Sequence, residues 1–135
     1  MKFSNKRKQY EASNVTFNAL KCEAYSYAWW KFVALIGGKI VFNNYNYSPS
    51  TVKHQYKVRR LMADLGIKID LEIEAPMGLQ QLDVAISHHQ SKIDNLKALI
   101  AKPKMQKAKN LERYTEIGLH ATKIQTLNSL IRKVA

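Results

Sequence analysis

Three carboxylates, Asp70, Glu72 and Glu74, alternate along one short segment and would share one face of a β-strand. Grouped carboxylates of this kind hold divalent metals in metal-dependent nucleases. An acid–acid–lysine pattern is missing, because Lys68 precedes the acids instead of following them. Any half-exposed strand shows the same spacing, and such acids also pair with a basic face of the same protein or of a partner. We therefore expect a protein that is not an enzyme, with a metal-dependent nuclease as the alternative.

Two histidines, His89 and His120, occupy the apolar seams of two predicted helices. If these helices form an antiparallel hairpin, the two imidazoles meet across the seam. A metal site needs three or four ligands, and the further histidine nearby, His88, lies on a different helix face. We therefore predict a polar layer that fixes the register of the helices, with no metal and no cofactor. Such a layer would take up protons near neutral pH and would loosen the hairpin in mild acid.

Two tryptophans, Trp29 and Trp30, could stack on bases as aromatic residues do in single-strand binders. Their apolar surroundings favour packing in a core or an interface instead. Cys22 is the single cysteine, so an intramolecular disulfide is excluded and a reducing compartment is favoured. The pair Gly37-Gly38 lacks the spaced glycines and the Lys-Ser or Lys-Thr of a phosphate-binding loop.

The charge balance is the strongest functional signal in the composition. The chain has 22 Lys and Arg against 10 Asp and Glu, a net charge of +12 and 46% hydrophobic residues over 135 positions. A chain of this size and composition can fold around its own core. Because self-repulsion among so many cations costs stability, an anionic partner is the natural expectation.

The predicted helix over residues 51–65 is apolar on one face and basic on the other. Val58, Met62 and Leu65 form part of the apolar stripe, and the opposite face is free of acids before Asp64. Cations on one face of a helix can neutralise phosphates, while polar and aromatic neighbours can reach a sugar or a base. The candidate contacts on this helix are Lys53, His54, Tyr56, Lys57, Arg59 and Arg60.

Two further basic clusters lie outside this helix. The first is an N-terminal arm over residues 1–12, and arms of this type add phosphate contacts or enter a minor groove. The second lies in the link between the two C-terminal helices, at the tip of the predicted hairpin. The candidate contacts are Lys6, Arg7 and Lys8 in the arm, and Lys102, Lys104, Lys107 and Lys109 at the tip.

The sequence YSPSTVKHQYKVRR over residues 47–60 runs from a predicted hairpin into the basic helix. This stretch resembles segments of small phage and mobile-element DNA-binding proteins. The resemblance implies a phage or mobile-element setting and assigns no functional residues.

The predicted fold class is α+β. We expect an N-terminal helix over residues 14–36, a β-hairpin over 39–47 and a strand over 67–74. The hairpin and the strand would form a three-stranded antiparallel sheet, or the strand would lie at an edge. This α+β part would cover residues 13–76. A heptad seam predicts a helical hairpin over residues 77–135, either packed on the same core or projecting from it.

The sequence therefore predicts a non-catalytic nucleic-acid-binding protein, with DNA favoured over RNA. The alternative is an inhibitor or adaptor that uses its helical hairpin to bind an acidic protein partner, and the seam could also support a homodimer. The N-terminus is polar and basic, and the most apolar stretch is shorter than a membrane span. We expect a cytoplasmic protein with no membrane contact.

Overall fold

The structure is a computed structural model that describes residues 2–4, 9–12, 14–102 and 107–134. Within these residues, seven strands form one sheet in which spatial order follows chain order. The first six strands pair antiparallel, and the seventh runs parallel to the sixth. The strands are β1 (Lys2–Ser4), β2 (Gln9–Ala12), β3 (Val15–Asn18), β4 (Glu23–Ser26), β5 (Trp30–Ile36), β6 (Lys39–Asn43) and β7 (Leu71–Ile73). The helices are α1 (Pro49–Asp64), α2 (Leu82–Ile100) and α3 (Lys107–Val134).

The predicted N-terminal helix over residues 14–36 is wrong, because this segment forms β3, β4 and β5. The segment is rich in β-branched and aromatic residues, which favour strands. In β3, the buried Val15 and Phe17 alternate with the exposed Thr16. Apolar residues that suggested a helix buried on all sides instead cover both faces of a sheet. The α+β class holds, but the three-stranded antiparallel sheet behind an N-terminal helix does not.

Gly37 and Gly38 form the turn between β5 and β6 and do not end a helix. Their φ angles are 56° and 81°, which a two-residue hairpin turn requires and which glycine adopts without strain. Since β6 pairs with β5 across this turn, the predicted β-hairpin over residues 39–47 is wrong. Residues 45–47 lead into α1 and form no strand.

The predicted basic helix is confirmed as α1, which begins two residues earlier than residue 51 and ends one residue before 65. The side-chain oxygen of Ser48 accepts the backbone N–H of Thr51 at 3.1 Å, which satisfies one of the unpaired donors of the first turn. Pro49 occupies the first turn, where its missing N–H has no cost. After the helix, Gly66 takes a φ of 72°.

The predicted strand over residues 67–74 is confirmed in part. Only β7, the last three positions before Glu74, enters the sheet, and it lies at the edge, parallel to β6. The sequence predicted an antiparallel arrangement. The connection explains the difference, because α1 lies between the two strands and a helical crossover joins parallel neighbours.

The sheet carries a hydrophobic core on each face. The first core packs α1 on the sheet through Val58 and Met62, and the second packs α2 and α3 through Ala85 and Leu127. The buried sheet residues of the first core include Phe17, Trp30, Phe32, Val33 and Phe42, and those of the second include Ala34, Ile36, Val41 and Ile73. The molecule therefore has three layers, with α1 and the helical hairpin on opposite faces of the sheet.

The C-terminal helical hairpin is confirmed as α2 and α3, and it packs on the same sheet as the rest of the chain. Residues of the predicted N-terminal arm form β1 and β2 at one edge of the sheet. Among the described residues, no helix is both long enough and apolar enough to cross a bilayer.

Candidate functional site

The solvent face of α1 carries a row of cations whose direction is fixed by the opposite side of the helix. Thr51, Gln55, Val58 and Met62 are buried against the sheet. Because side chains at this spacing share one side of a helix, residues half a turn away must face outward. The outward cations, all exposed, are Lys53, Lys57 and Arg60.

Polar contacts also fix the orientation of α1. The side-chain amide of Gln55 donates to the backbone carbonyls of Asn43 at 2.7 Å and of Tyr45 at 3.0 Å. Asn43 is the last residue of β6 and Tyr45 lies two residues beyond it, so the glutamine satisfies backbone carbonyls at the end of the strand. The second turn of α1 is therefore tied to the end of β6, which keeps the opposite, cationic face of the helix toward solvent.

Arg59 has a different environment from its neighbours on α1. Its guanidinium donates two hydrogen bonds to the carboxylate of Glu72, at 3.1 and 2.8 Å, and lies 4.1 Å from the ring centre of Phe42. The hydrogen bond from Arg59 lowers the pKa of Glu72, against the opposing effect of burial. A phosphate would have to compete with this pair, so we leave Arg59 out of the interface.

His54 and Tyr56 lie on opposite sides of the cationic row. His54 is half-buried and shares a 2.8 Å hydrogen bond between its Nδ1 and the hydroxyl of Ser26 in β4. Burial lowers the pKa of His54, so the ring is neutral near pH 7. Tyr56 is exposed and lines a shallow groove together with Arg60 and Tyr10.

Three exposed aromatic side chains adjoin the first turns of α1. Trp29 and Tyr27 belong to the turn between β4 and β5, and Tyr47 precedes the N-cap Ser48. Their exposed fractions are 42%, 39% and 47%, respectively. Trp30, by contrast, is fully buried, and its ring nitrogen donates to the backbone carbonyl of Pro76 at 3.0 Å.

Sequence reasoning missed this aromatic edge, because it placed Tyr27 and Trp29 inside a helix. It treated the two tryptophans alike, although they alternate between solvent and core. The one signal that could have separated them is the local alternation of Trp30, Lys31 and Phe32, before the buried Val33 and Ala34 interrupt it.

The remaining predicted contacts are only partly described. Lys102 and Lys109 are exposed on either side of the hairpin tip. Lys107 begins α3, and Lys104 lies outside the described residues. The arm residues Lys6, Arg7 and Lys8 also lie outside the described residues.

His89 and His120, which the sequence allowed to face each other, do meet across the hairpin, with a hydrogen bond of 2.7 Å between their Nδ1 atoms. The backbone N–H of Glu74 donates to Nε2 of His89 at 3.0 Å. Since Nε2 is thus an acceptor, neutral His89 carries its proton on Nδ1 and donates it to His120. This buried relay links the end of β7 to both helices of the hairpin.

Glu74, His89 and His120 form the cluster best suited to a metal ion in the described part of the chain. One ligand atom from each residue lies within 4.8 Å of the others, and two histidines with a glutamate bind catalytic zinc. However, both nitrogens of His89 are already engaged. A metal on Nδ1 would force a hydrogen onto Nε2, facing the N–H of Glu74. The carboxylate of Glu74 is also paired with Lys92 at 3.2 Å. The geometry therefore favours a hydrogen-bonded relay over a metal centre.

The three alternating carboxylates have separate partners. Asp70 accepts the backbone N–H of Ile40 at 2.8 Å and Glu72 binds Arg59. Glu74 instead faces α2, where burial raises its pKa, but the hydrogen bond and charge of Lys92 together with those of His88 lower the pKa overall. The carboxylates thus stabilise contacts between elements of this chain.

The chain matches no protein-family model, no curated protein and no solved structure. The functional conclusion therefore rests on the chemistry of its own residues.

Proposed function

We propose that the protein binds nucleic acid without catalysing a reaction on it, and that the solvent face of α1 is its main contact surface. The observation that carries this proposal is the fixed outward row of Lys53, Lys57 and Arg60. Lysine and arginine on a rigid helix neutralise phosphates and release bound counterions, which is the main source of sequence-independent affinity. The net charge of +12 adds attraction over a longer range.

The N-terminal arm and the hairpin tip would extend this contact. Lys102 lies just beyond the end of α2. It follows His89 by 13 positions, and this number of residues spans about 20 Å along a helix. A ligand that reaches both α1 and the tip would have to pass an edge of the sheet, because α1 and the hairpin lie on opposite faces. The tip cations therefore supply additional phosphate contacts, and α1 supplies the primary ones.

We also propose a cytoplasmic location, which the lone Cys22 supports. Burial raises the pKa of its thiol, so the side chain stays protonated and unreactive. The phage or mobile-element setting and the preference for DNA over RNA stay predictions from the sequence.

The salt dependence of binding tests the proposal. Fluorescence anisotropy would follow labelled duplex DNA, single-stranded DNA and RNA at 50 and 200 mM salt. Three phosphate contacts at α1 alone predict a loss of affinity of about 20- to 40-fold between these salt concentrations, and contacts from the arm and tip would increase it. No binding to any of the three probes at the lower salt concentration would overturn the proposal.

A second candidate, self-association through the hairpin, is favoured by one observation. Leu111, Tyr114 and Leu119 are large apolar residues that α3 leaves exposed. If this face pairs with a second copy, sedimentation equilibrium should show a dimer that Leu111→Ser with Leu119→Ser converts to a monomer. A monomer at all concentrations in the unmodified protein would exclude this candidate.

A further inference from the structure

We infer that the exposed aromatic edge beside α1, made of Tyr27, Trp29 and Tyr47, stacks on unpaired bases, so that the ligand is single-stranded nucleic acid. This inference rests on the proposed function and names its substrate class. Stacking on aromatic rings tolerates any sequence, because every base has a π face. In a duplex the bases already stack on one another, and the rings would gain little.

Trp29 and Tyr47 form one rigid part of this edge. Their ring centres lie 5.7 Å apart in an edge-to-face arrangement at 81°. Tyr47 also contacts the buried Trp30, with ring centres 5.6 Å apart. Each ring is nearly half exposed although its position is set by packing. A preorganised ring loses little conformational freedom when a base stacks on it.

Tyr27 forms the other part of the edge, and its backbone is held in an uncommon conformation. Its φ is 55° and that of Ala28 is 65°, in the left-handed region that non-glycine residues rarely adopt. The backbone N–H of Tyr27 donates to the carbonyl of Asn14 at 2.7 Å, and its ring centre lies 5.5 Å from that of His54. These contacts hold the tyrosine on the surface, next to α1.

His54 connects the aromatic edge to the cationic row. It precedes Lys57 by three residues on α1, so these two side chains are neighbours on the helix surface. The hydrogen bond between His54 and Ser26 fixes the β4–β5 turn against the same helix. Phosphates on the lysines would therefore leave neighbouring bases within reach of the rings, as in single-strand grooves that combine both contacts.

Two probes of equal length, an oligodeoxythymidine and a mixed-sequence duplex, separate this inference from the proposed function. Trp29→Ala should weaken binding to oligodeoxythymidine by about 5- to 100-fold. Duplex binding should change by less than about threefold, because that contact depends on phosphates. Trp29→Phe keeps an aromatic ring and should retain most of the affinity. The matched control is Tyr114→Ala, which removes an exposed ring from α3 and should change neither affinity.

Tryptophan fluorescence gives a second readout, which begins with the unmodified protein and assigns the signal with a conservative variant. Unlabelled oligodeoxythymidine should quench part of the emission of the unmodified protein. In the Trp29→Phe protein the remaining emission comes from Trp30, which is fully buried, and it should not be quenched.

Three results would overturn the inference. Equal affinity for single strand and duplex, equal weakening of both by Trp29→Ala, or quenching that persists in the Trp29→Phe protein would each contradict it and leave the proposed function intact. Failure of the unmodified protein to bind either probe at low salt would remove the proposed function as well.

Discussion

Two adjacent arginines on α1 show how residue type alone fails to identify a contact. Arg59 pairs with Glu72 and lies over Phe42, whereas Arg60 faces solvent. A helical projection places Arg59 between the apolar and basic faces of α1. At this position the side chain can either turn toward solvent or pack against the sheet. Its acidic partner lies on a strand whose position depends on the parallel pairing of β7, which the sequence did not predict.

These environments predict opposite effects for the two arginines. Arg59→Ala should lower the free energy of unfolding by about 1 kcal/mol, since a half-exposed ion pair and a cation–π contact are lost. Its effect on nucleic-acid affinity should be small. Arg60→Ala should leave stability unchanged and weaken binding. Urea unfolding and anisotropy on the same samples would measure both, and a larger binding loss for Arg59→Ala would contradict the assignment.

The histidine pair was predictable from helix register, because residues facing each other in an antiparallel hairpin follow from the loop position. The third member of the relay, the N–H of Glu74, was not, since it depends on where β7 ends. Burial, together with the neighbouring charges of His120 and Lys123, lowers the pKa of His89 to about 4. Burial also lowers the pKa of His120. The charged groups around the pair are Glu74, His88, Lys92, Glu116 and Lys123.

This pair predicts that acid destabilises the fold. The pKa of His89 in the folded protein lies below its ordinary value of 6.5, so the unfolded chain binds more protons than the folded one. The free energy of unfolding must therefore fall as the pH falls through 6.5 toward the folded pKa. From about pH 7.5 to about pH 5.5 the loss should be about 1 kcal/mol for His89, with His120 adding to it. Urea unfolding at both pH values measures the change.

A double variant, His89→Leu with His120→Leu, separates this effect from other titrations. It should reduce the loss of stability between these pH values, although it leaves the N–H of Glu74 without its acceptor and lowers stability at neutral pH. An unchanged pH dependence in the double variant would contradict the role of the pair.

At the scale of elements, α1 and the helical hairpin could be predicted, and the order of the sheet could not. The helices show long apolar periodicity, which strands of three to seven residues lack. A register shift opposite Ala24 and Tyr25 also puts Phe32 and Val33 in the same core, followed by the buried Ala34. Three consecutive buried residues conceal the alternation of β5, and the segment then resembles a buried helix.

The turn between β5 and β6 offers a test at this scale. A Cβ at Gly37 would approach the backbone carbonyl oxygen of Leu130 to 3.0 Å, whereas among the described residues nothing lies within 4 Å of one at Gly38. Both glycines have positive φ, so alanine is strained at either position. Gly37→Ala should therefore cost about 2–3 kcal/mol of stability and Gly38→Ala about 1 kcal/mol. Equal losses in thermal unfolding would show that α3 does not approach the turn closely.

At the scale of the whole molecule, one sheet serves two cores. Trp30 and Phe42 face α1, while Ile36 and Val41 face the hairpin. Because the strands contribute to both sides, neither α1 nor the hairpin can dissociate without exposing the sheet. The predicted boundary between residues 76 and 77 therefore coincides with a change of layer on one shared sheet.

Substitutions in either core should consequently lower the midpoint of one unfolding transition that the whole molecule shares. Met62→Ala in the first core and Leu127→Ala in the second each remove a fully buried side chain and should cost about 2–5 kcal/mol. Far-UV circular dichroism and buried Trp30 fluorescence should report the same midpoint in both variants. Two separate transitions in the Leu127→Ala protein would indicate that the hairpin unfolds independently.

The most direct test of the account compares two triple variants that remove the same charge. The first replaces the α1 row (Lys53→Gln, Lys57→Gln, Arg60→Gln), and the control replaces three cations that are also exposed (Lys39→Gln, Lys68→Gln, Arg132→Gln). Anisotropy at 50 and 200 mM salt should show that the first variant loses about two to three units of the logarithmic salt slope and most of its affinity. The control should keep its affinity within a few-fold. Equal losses in the two variants would show that net charge alone drives binding, and would contradict an interface on α1.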